Sequence, residues 1–252
     1  MVDMKPLNIV LTADPEIPVP PRLYGGIERV IDLLARGLTS RGHEVVLVAH
    51  KESVSAGRLV PWSGKSSQSA IDTVKNAMTL RQVVTTGQFD LVHSFSRVAY
   101  LLPIFFCNVP KLMTYQRPIS PRSIRMGRSL SRGTLEFSAI SDWMIEHVKT
   151  LADWHVVPNG VSLETYDFKP GVEQDAPLVF LGRIEEIKGT HLAIEVAKRS
   201  GRNLVIAGNV APDQQAWFDK NVAPAIDGKS VRYIGPVDDE QKNLLLGEAA
   251  AL

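Results

Sequence analysis

The chain has one cysteine, Cys107, in 252 residues. A lone thiol excludes a disulfide framework and a multi-cysteine metal site, and it accords with a reducing cytosol. Surplus charge is missing too. Lys and Arg number 28 and Asp and Glu 27, leaving +1. That excludes an overall basic field for nucleic acid, so any basic site must be local. No run approaches the roughly 18 apolar residues of a membrane span. The start, MVDMKPLNIVLTAD, is broken by Asp14 and Pro15 too soon for a signal peptide. The cytoplasm is therefore the expected compartment. There is no His/Cys cluster with zinc spacing, no G-x-S-x-G and no G-K-[ST]. No G-x-G-x-x-G follows the first apolar run, which argues against a plain dinucleotide dehydrogenase. What is present is ordinary for a globular protein, with 44% hydrophobic and 22% charged residues. At roughly 150 residues per domain the length allows one large domain or two small ones.

Apolar runs of four to six residues alternate with helix-period segments. Strands are expected near 7–11, 45–49, 89–92, 111–115, 136–140 and 155–157. A helix carries Ile27, Val30, Ile31, Leu34 and Leu38 on one face and stops at Gly42. A second helix, near 70–85, aligns Ile71, Val74 and Met78. The Ser- and Gly-rich segment 53–69 is expected to be a mobile surface loop. Ser141 and Asp142 can cap a short helix. The pattern then restarts with strands near 178–181, 204–207 and 231–234, a helix near 190–200, another helix holding Trp217, and a last helix capped by Asp238 with Gln241 three residues on. Strand–helix–strand units with short loops predict an α/β protein of doubly wound parallel sheets. Two Rossmann-like domains are expected, 1–168 and 169–252, joined by the Pro- and Gly-bearing stretch 161–177 and facing each other across a cleft.

The most informative stretch is FLGRIEEIKG, from Phe180 to Gly189. A buried strand delivers Gly182, then Arg183 and Lys188 in a loop, then a helix start. Arg183 can hold a diphosphate bidentately, and Lys188 can add a point charge. An echo lies upstream, where Gly25 and Gly26 precede the first helix. A glycine just before a helix leaves backbone N–H groups exposed at the positive end of the helix dipole, a ready anion site.

Five segments together resemble the retaining glycosyltransferases of family 4, which have the GT-B architecture. They are YGGIER at 24–29, RGHEV at 41–45, VPNGV at 157–161, Gly182-Arg183 through Lys188-Gly189, and the strand ends Ile206-Ala207-Gly208 and Ile234-Gly235. The resemblance implies transfer of a sugar from a nucleotide-diphosphate-sugar donor to an acceptor with retention. No cofactor and no metal are implied beyond that co-substrate. Arg183 and Lys188 would be the catalytic cations neutralising the leaving diphosphate. Gly25, Gly26, Gly182 and Gly208 would let backbone approach the donor phosphates or the acceptor. The first domain would bind the acceptor and the second the nucleotide.

Two departures from the family pattern stand out. Family members commonly place a histidine after the strand that is here 111–115, and this chain has Gln116. Glutamine can hydrogen-bond a sugar hydroxyl but cannot shuttle a proton. Gln116, Arg117 and His93 are the acceptor-side candidates, His93 being more readily a polar cap on a strand end. His43 is read as structural. Second, Pro170 to Leu252 is only 83 residues, short beside roughly 100–150 for a domain. On the resemblance, the family's carboxylate pair, E-x7-E, would begin beyond Leu252, so the second domain is expected to be partial. Either the sequence is a fragment, or a second chain or self-association completes it, or the chain is not an active transferase. The stretch 117–132 carries Arg117, Arg122, Arg125, Arg128 and Arg132 and no acid. Its last four arginines would share one side of a helix and suit a phosphorylated acceptor or an anionic inner-membrane face. Two rival readings stay open: a non-catalytic subunit that binds nucleotide or a partner chain, and a nucleotide-sugar epimerase of the same fold.

Overall fold

A computed structural model describes residues 5–252. The chain forms two compact units. One spans residues 5–21 and Gly25–Val161, and the other Arg22–Tyr24 with Ser162–Leu252.

The first unit contains β1 (Asn8–Thr12), α1 (Gly26–Ser40), β2 (Glu44–Ala49), β3 (Arg58–Pro61), α2 (Ala70–Thr86), β4 (Leu91–Ser94), α3 (Val98–Leu101), β5 (Lys111–Tyr115), α4 (Pro121–Leu130), β6 (Leu135–Ala139), α5 (Asp142–Ile145) and β7 (Trp154–Val156). Its seven strands are all parallel, in the order β3-β2-β1-β4-β5-β6-β7. The period of two divides β1 and β2 between two cores. Ile9, Leu11, Val45 and Leu47 pack with α1's Ile31 and Ala35. Val10, Val46 and Val48 pack on the other side with Leu80 of α2, Tyr100, Ile124 and Phe137. Burial on both faces is why these strands are continuous apolar runs rather than alternating ones.

The expected stripe of α1 is the one that packs. The α2 stripe is not: Ile71, Val74 and Met78 are 70%, 63% and 48% exposed. The buried side is Asn76, Ala77, Leu80, Val83 and Val84. A polar residue shares this face with the apolar ones. Buried Asn76 accepts a hydrogen bond from Gly64 N–H at 2.7 Å and donates to the Tyr100 hydroxyl. Segment 53–69 is also not the free loop expected. It contains edge strand β3, paired Val46 to Arg58 through Ala49 to Pro61. Ser53 Oγ accepts from Val19 N–H, Glu16 from Ser67 N–H, and Asp72 from Lys65 and Ser66 N–H. Trp62 is buried and donates to Ala13 O at 2.7 Å. The arginine stretch is helical only to Leu130, so Arg132 falls outside α4, at φ +54°, and lies over the Phe106 ring.

The second unit contains β8 (Leu178–Leu181), α6 (Thr190–Ser200), β9 (Leu204–Ala207), α7 (Gln215–Asn221), β10 (Val231–Gly235) and α8 (Asp239–Glu248). The strands are parallel in the order β10-β9-β8. Ala251 adds a parallel bridge to Leu178 on the open side of β8. Ile184, Ile194, Ala197, Leu204, Ile206, Phe218, Val222 and Val231 form the core. Asp238 and Gln241 close the expected capping box at the start of α8.

Candidate functional site

In the first unit the chain runs from β1 outward through β2 and β3, then crosses back to β4 on the other flank of β1. Crevices at the carboxyl ends of strands flanking such a reversal are where open α/β sheets bind ligands. The residues leaving β1, β4 and β5 there are polar. Thr12 Oγ1 shares hydrogen bonds with Ser94 Oγ at 2.9 Å and Ser96 Oγ at 2.7 Å. Asp14, buried, is paired with Arg117 at 2.5 Å. Burial pushes the Asp14 carboxyl above the usual carboxylate range, against the opposing pull of the Arg117 guanidinium and of Arg97. Glu28, in the first turn of α1, is buried too, and burial raises its carboxyl while its own backbone N–H holds it down.

The acceptor-side candidates divide. Arg117 joins this cluster through Asp14, and Gln116 Oε1 accepts from Asn159 Nδ2 at 3.2 Å. His93 sits in β4, stacked on Phe95 at 4.4 Å and sharing a 2.7 Å hydrogen bond with Thr114 Oγ1. Burial depresses its pKa to about 4, so it is a neutral imidazole built into the sheet. His43 is structural as expected, accepting from Leu7 N–H. Asp14, Arg97 and Glu28 were not foreseen as site residues. The available signal was a charged residue directly behind an apolar strand.

Gly25 and Gly26 differ. Gly25 is the N-cap of α1 at φ +157°, and a Cβ there would lie 2.6 Å from Pro21 Cβ and 2.9 Å from Glu28 Oε2. Gly26 has nothing within 4 Å of a Cβ position. Only Gly26 therefore leaves open space over the helix's first turn.

In the second unit Gly182, Arg183 and Gly208 come together where β8 and β9 end. Gly182 N–H donates to Ala207 O at 3.0 Å, Ile184 N–H to Asn209 O at 2.9 Å, and Gly208 N–H to Gly235 O at 2.8 Å. The Tyr233 hydroxyl donates to Gly208 O at 2.8 Å. Arg183 is held by Glu185 at 2.8 Å and lies over the Tyr24 ring, 5.6 Å from its centroid. Glu185 is a further residue not foreseen in this role; it offsets the loop's positive charge. Lys188 is exposed in the short turn before Gly189, which takes φ +76° as the N-cap of α6. No side chain caps α6, so its first N–H groups are available to an anion. Thr190 Oγ1 and Arg183 Nε are buried there without a hydrogen-bond partner.

Among the described residues no cluster of three or more His, Cys, Asp or Glu side chains could hold a metal ion. None of the described helices is long and apolar enough to cross a membrane.

A phosphatidyl-myo-inositol mannosyltransferase of Propionibacterium freudenreichii subsp. shermanii is 25% identical over 257 residues, covering 89% of this chain and 65% of that protein. The chain thus spans just under two thirds of this relative's length. The crystal structure of AviGT4, a glycosyltransferase involved in avilamycin A biosynthesis, is 25% identical, with a TM-score of 0.72 over 98% of this chain and 68% of AviGT4. HepE of Anabaena, solved with UDP and glucose, shares the fold at 14% identity and a TM-score of 0.64, over 96% of this chain and 72% of HepE. These likenesses make the two units a GT-B-like pair of Rossmann-type sheets. Residues 24–165 match the family described as Glycosyltransferase Family 4, and the chain belongs to that family.

Proposed function

We propose that this chain performs the transfer step of a retaining glycosyltransferase, moving a sugar from a nucleotide-diphosphate donor to an acceptor hydroxyl without a resident metal. The observation that carries this reading is the end of β8. Gly182 and Gly208 bring two backbones together, Arg183 follows, and the uncapped α6 begins at Gly189. A glycine-lined strand end, a guanidinium and a helix N-terminus form a seat for a diphosphate. Glu185 fixes the guanidinium in place before any ligand arrives.

In the reaction the bond between the sugar's anomeric carbon and the donor phosphate oxygen breaks, and the nucleoside diphosphate leaves with the electron pair. The acceptor oxygen bonds to that carbon on the same face. Its proton passes to the departing phosphate oxygen. Charge therefore builds on the diphosphate, and Arg183, Lys188 and the α6 N–H groups are the residues that meet it. The first unit's strand ends supply the acceptor side. We further propose a cytoplasmic protein whose Arg122, Arg125 and Arg128 face lipid or acceptor phosphate, in keeping with the phosphatidyl acceptor in the mannosyltransferase relative's name.

Calorimetric titration of the chain with UDP, GDP and ADP tests the donor side. One nucleotide should bind, and Arg183→Ala and Lys188→Ala should each weaken it. Losing one such donor costs on the order of 10²–10³ in rate, so Arg183→Ala should lose at least that in turnover while melting normally. Wild-type turnover in Arg183→Ala overturns the reading. A second reading, a binding subunit without turnover, is favoured by one observation: Gln116 stands where family members commonly carry histidine, and its side chain is occupied by Asn159. Nucleotide binding with no release of free sugar or transferred product would select it.

A further inference from the structure

Residues 5–21 and Gly25–Val161 make up the first unit, yet Arg22, Leu23 and Tyr24 group with the second. The neck of this three-residue loop is pinched: Pro21 and Gly25 pack so closely that a Cβ on Gly25 would lie 2.6 Å from Pro21 Cβ. The last residue of the loop, Tyr24, is the one beneath Arg183, with the guanidinium carbon 5.6 Å from the ring centroid. A constrained turn, not a free tail, delivers the ring.

Arg183 is a cation that needs holding. Its side chain is 43% exposed, and an arginine that open has many rotamers to lose when it is fixed. Two contacts restrict it before any ligand arrives. Glu185 takes Nη2 at 2.8 Å, which fixes one corner of the guanidinium. Tyr24 takes the cation over its ring, where the negative face of the π system attracts positive charge. The two contacts differ in what they consume. The carboxylate uses up a donor and offsets charge. The ring face carries no net charge and no lone pair, so it steadies the cation and leaves the remaining N–H groups free. A diphosphate is bound by such in-plane N–H groups, two at a time.

We propose that Tyr24 is a positioning residue for the donor: its ring orients Arg183 so that the guanidinium N–H groups not taken by Glu185 meet the diphosphate. Tyr24 acts on the donor through Arg183. The proposal deepens the donor reading and rests on it.

Calorimetry on the full chain tests it, with UDP, GDP and ADP against UMP, GMP and AMP. The parent should prefer the diphosphate of whichever base it takes. Tyr24→Leu keeps an apolar side chain and removes the π face. It should weaken the diphosphate about three- to tenfold, the worth of one partly exposed cation–π contact, and leave the monophosphate unchanged. Tyr24→Phe keeps the face and should bind as the parent does. In an Arg183→Ala background Tyr24→Leu should have no further effect, because the partner of the ring is gone. Tyr24→Gln carries the same test if a leucine on this exposed loop causes aggregation. Four outcomes overturn the proposal: unchanged diphosphate affinity in Tyr24→Leu, an equal loss for the monophosphate, no recovery in Tyr24→Phe, or an undiminished effect of Tyr24→Leu without Arg183. Each of these leaves the donor reading standing where the parent binds a nucleoside diphosphate. A parent that binds none of the three overturns the donor reading and this proposal with it.

Discussion

Gly182 and Gly208 meet backbone to backbone: a Cβ on Gly208 would fall inside contact distance of the Gly182 carbonyl oxygen and carbon. The opposing atoms are main chain, so no side-chain rotation relieves the collision. The Gly208 backbone is also fixed by two hydrogen bonds, its N–H to Gly235 O and its carbonyl from the Tyr233 hydroxyl. Gly208→Ala should therefore push the ends of β8 and β9 apart. The expected cost is about 1–3 kcal/mol, as for other forced overpacking, read as a lowered melting temperature. Nucleotide affinity should fall with it, because Arg183 hangs from the displaced strand end. An alanine variant that melts and binds like the parent would mean that the close approach plays no part in either.

Gly25 and Gly26 predict opposite results from the same substitution. Gly25→Ala meets Pro21 and Glu28 at a φ of +157°, a backbone state that side chains other than hydrogen rarely adopt. It should cost about 1–3 kcal/mol. Gly26→Ala meets nothing within 4 Å and sits in the first turn of α1. Its stability should stay within roughly 0.5 kcal/mol of the parent. If a ligand approaches that helix end, Gly26→Ala will show it as lost affinity without lost stability. Parallel melts and titrations of the two variants separate the glycine the fold needs from the one left open.

Much of this architecture is legible in the sequence because parallel strands buried on both faces are continuous apolar runs. Val45–Ala49 and Leu204–Ala207 are recognisable for that reason, and both are fully buried. The strand β3 is not legible. Its sequence, RLVP, lies in a Ser- and Gly-rich segment held down by Glu16, Asp72 and Ser53 through backbone hydrogen bonds. Such tethers leave no periodic trace. The Ile71–Val74–Met78 stripe is exposed because α2 has a second apolar face, Ala77, Leu80, Val83 and Val84, and that face also carries the buried amide Asn76, which bonds Gly64 and Tyr100. The phosphate loop is legible as a motif, but its internal counter-charge, Glu185 on Arg183, is not. The Asp14–Arg117 pair is harder still. It joins residues that follow two different strands, and only the β1–β4–β5 pairing brings them together.

Lys111 is fully buried, and its ammonium is consumed by the fold. Nζ donates to Cys107 O at 2.7 Å, Val109 O at 2.7 Å and Thr134 Oγ1 at 2.9 Å, tying the loop before β5 to the turn before β6. Burial holds its pKa below the ordinary lysine value. Lys111→Met keeps the stem and deletes all three donors. Each buried acceptor left unsatisfied costs about 1–3 kcal/mol, so the variant should lose on the order of 3–5 kcal/mol or fail to accumulate as folded protein. Denaturant unfolding measures this. A loss under 1 kcal/mol would mean that water reaches those carbonyls.

His93 predicts how stability changes with acid. Its folded pKa is about 4 against an ordinary 6.5, because burial disfavours the imidazolium. The sign follows from the unfolded chain binding the proton more readily than the folded one. The neutral residue's full contribution is present above pH 6.5. It is lost as pH falls from about 6.5 towards 4, where the unfolded state takes up a proton and the folded state does not. A depression of that size corresponds to about 3 kcal/mol. Replacing His93 by Gln, which keeps a group able to bond Thr114, removes this one titration. The melting temperature of the parent should fall more steeply between pH 7 and 4.5 than that of His93→Gln, while at pH 7.5 the two differ only by packing. Identical pH profiles would show that His93 charges freely within the sheet, and the neutral assignment at the end of β4 would be wrong.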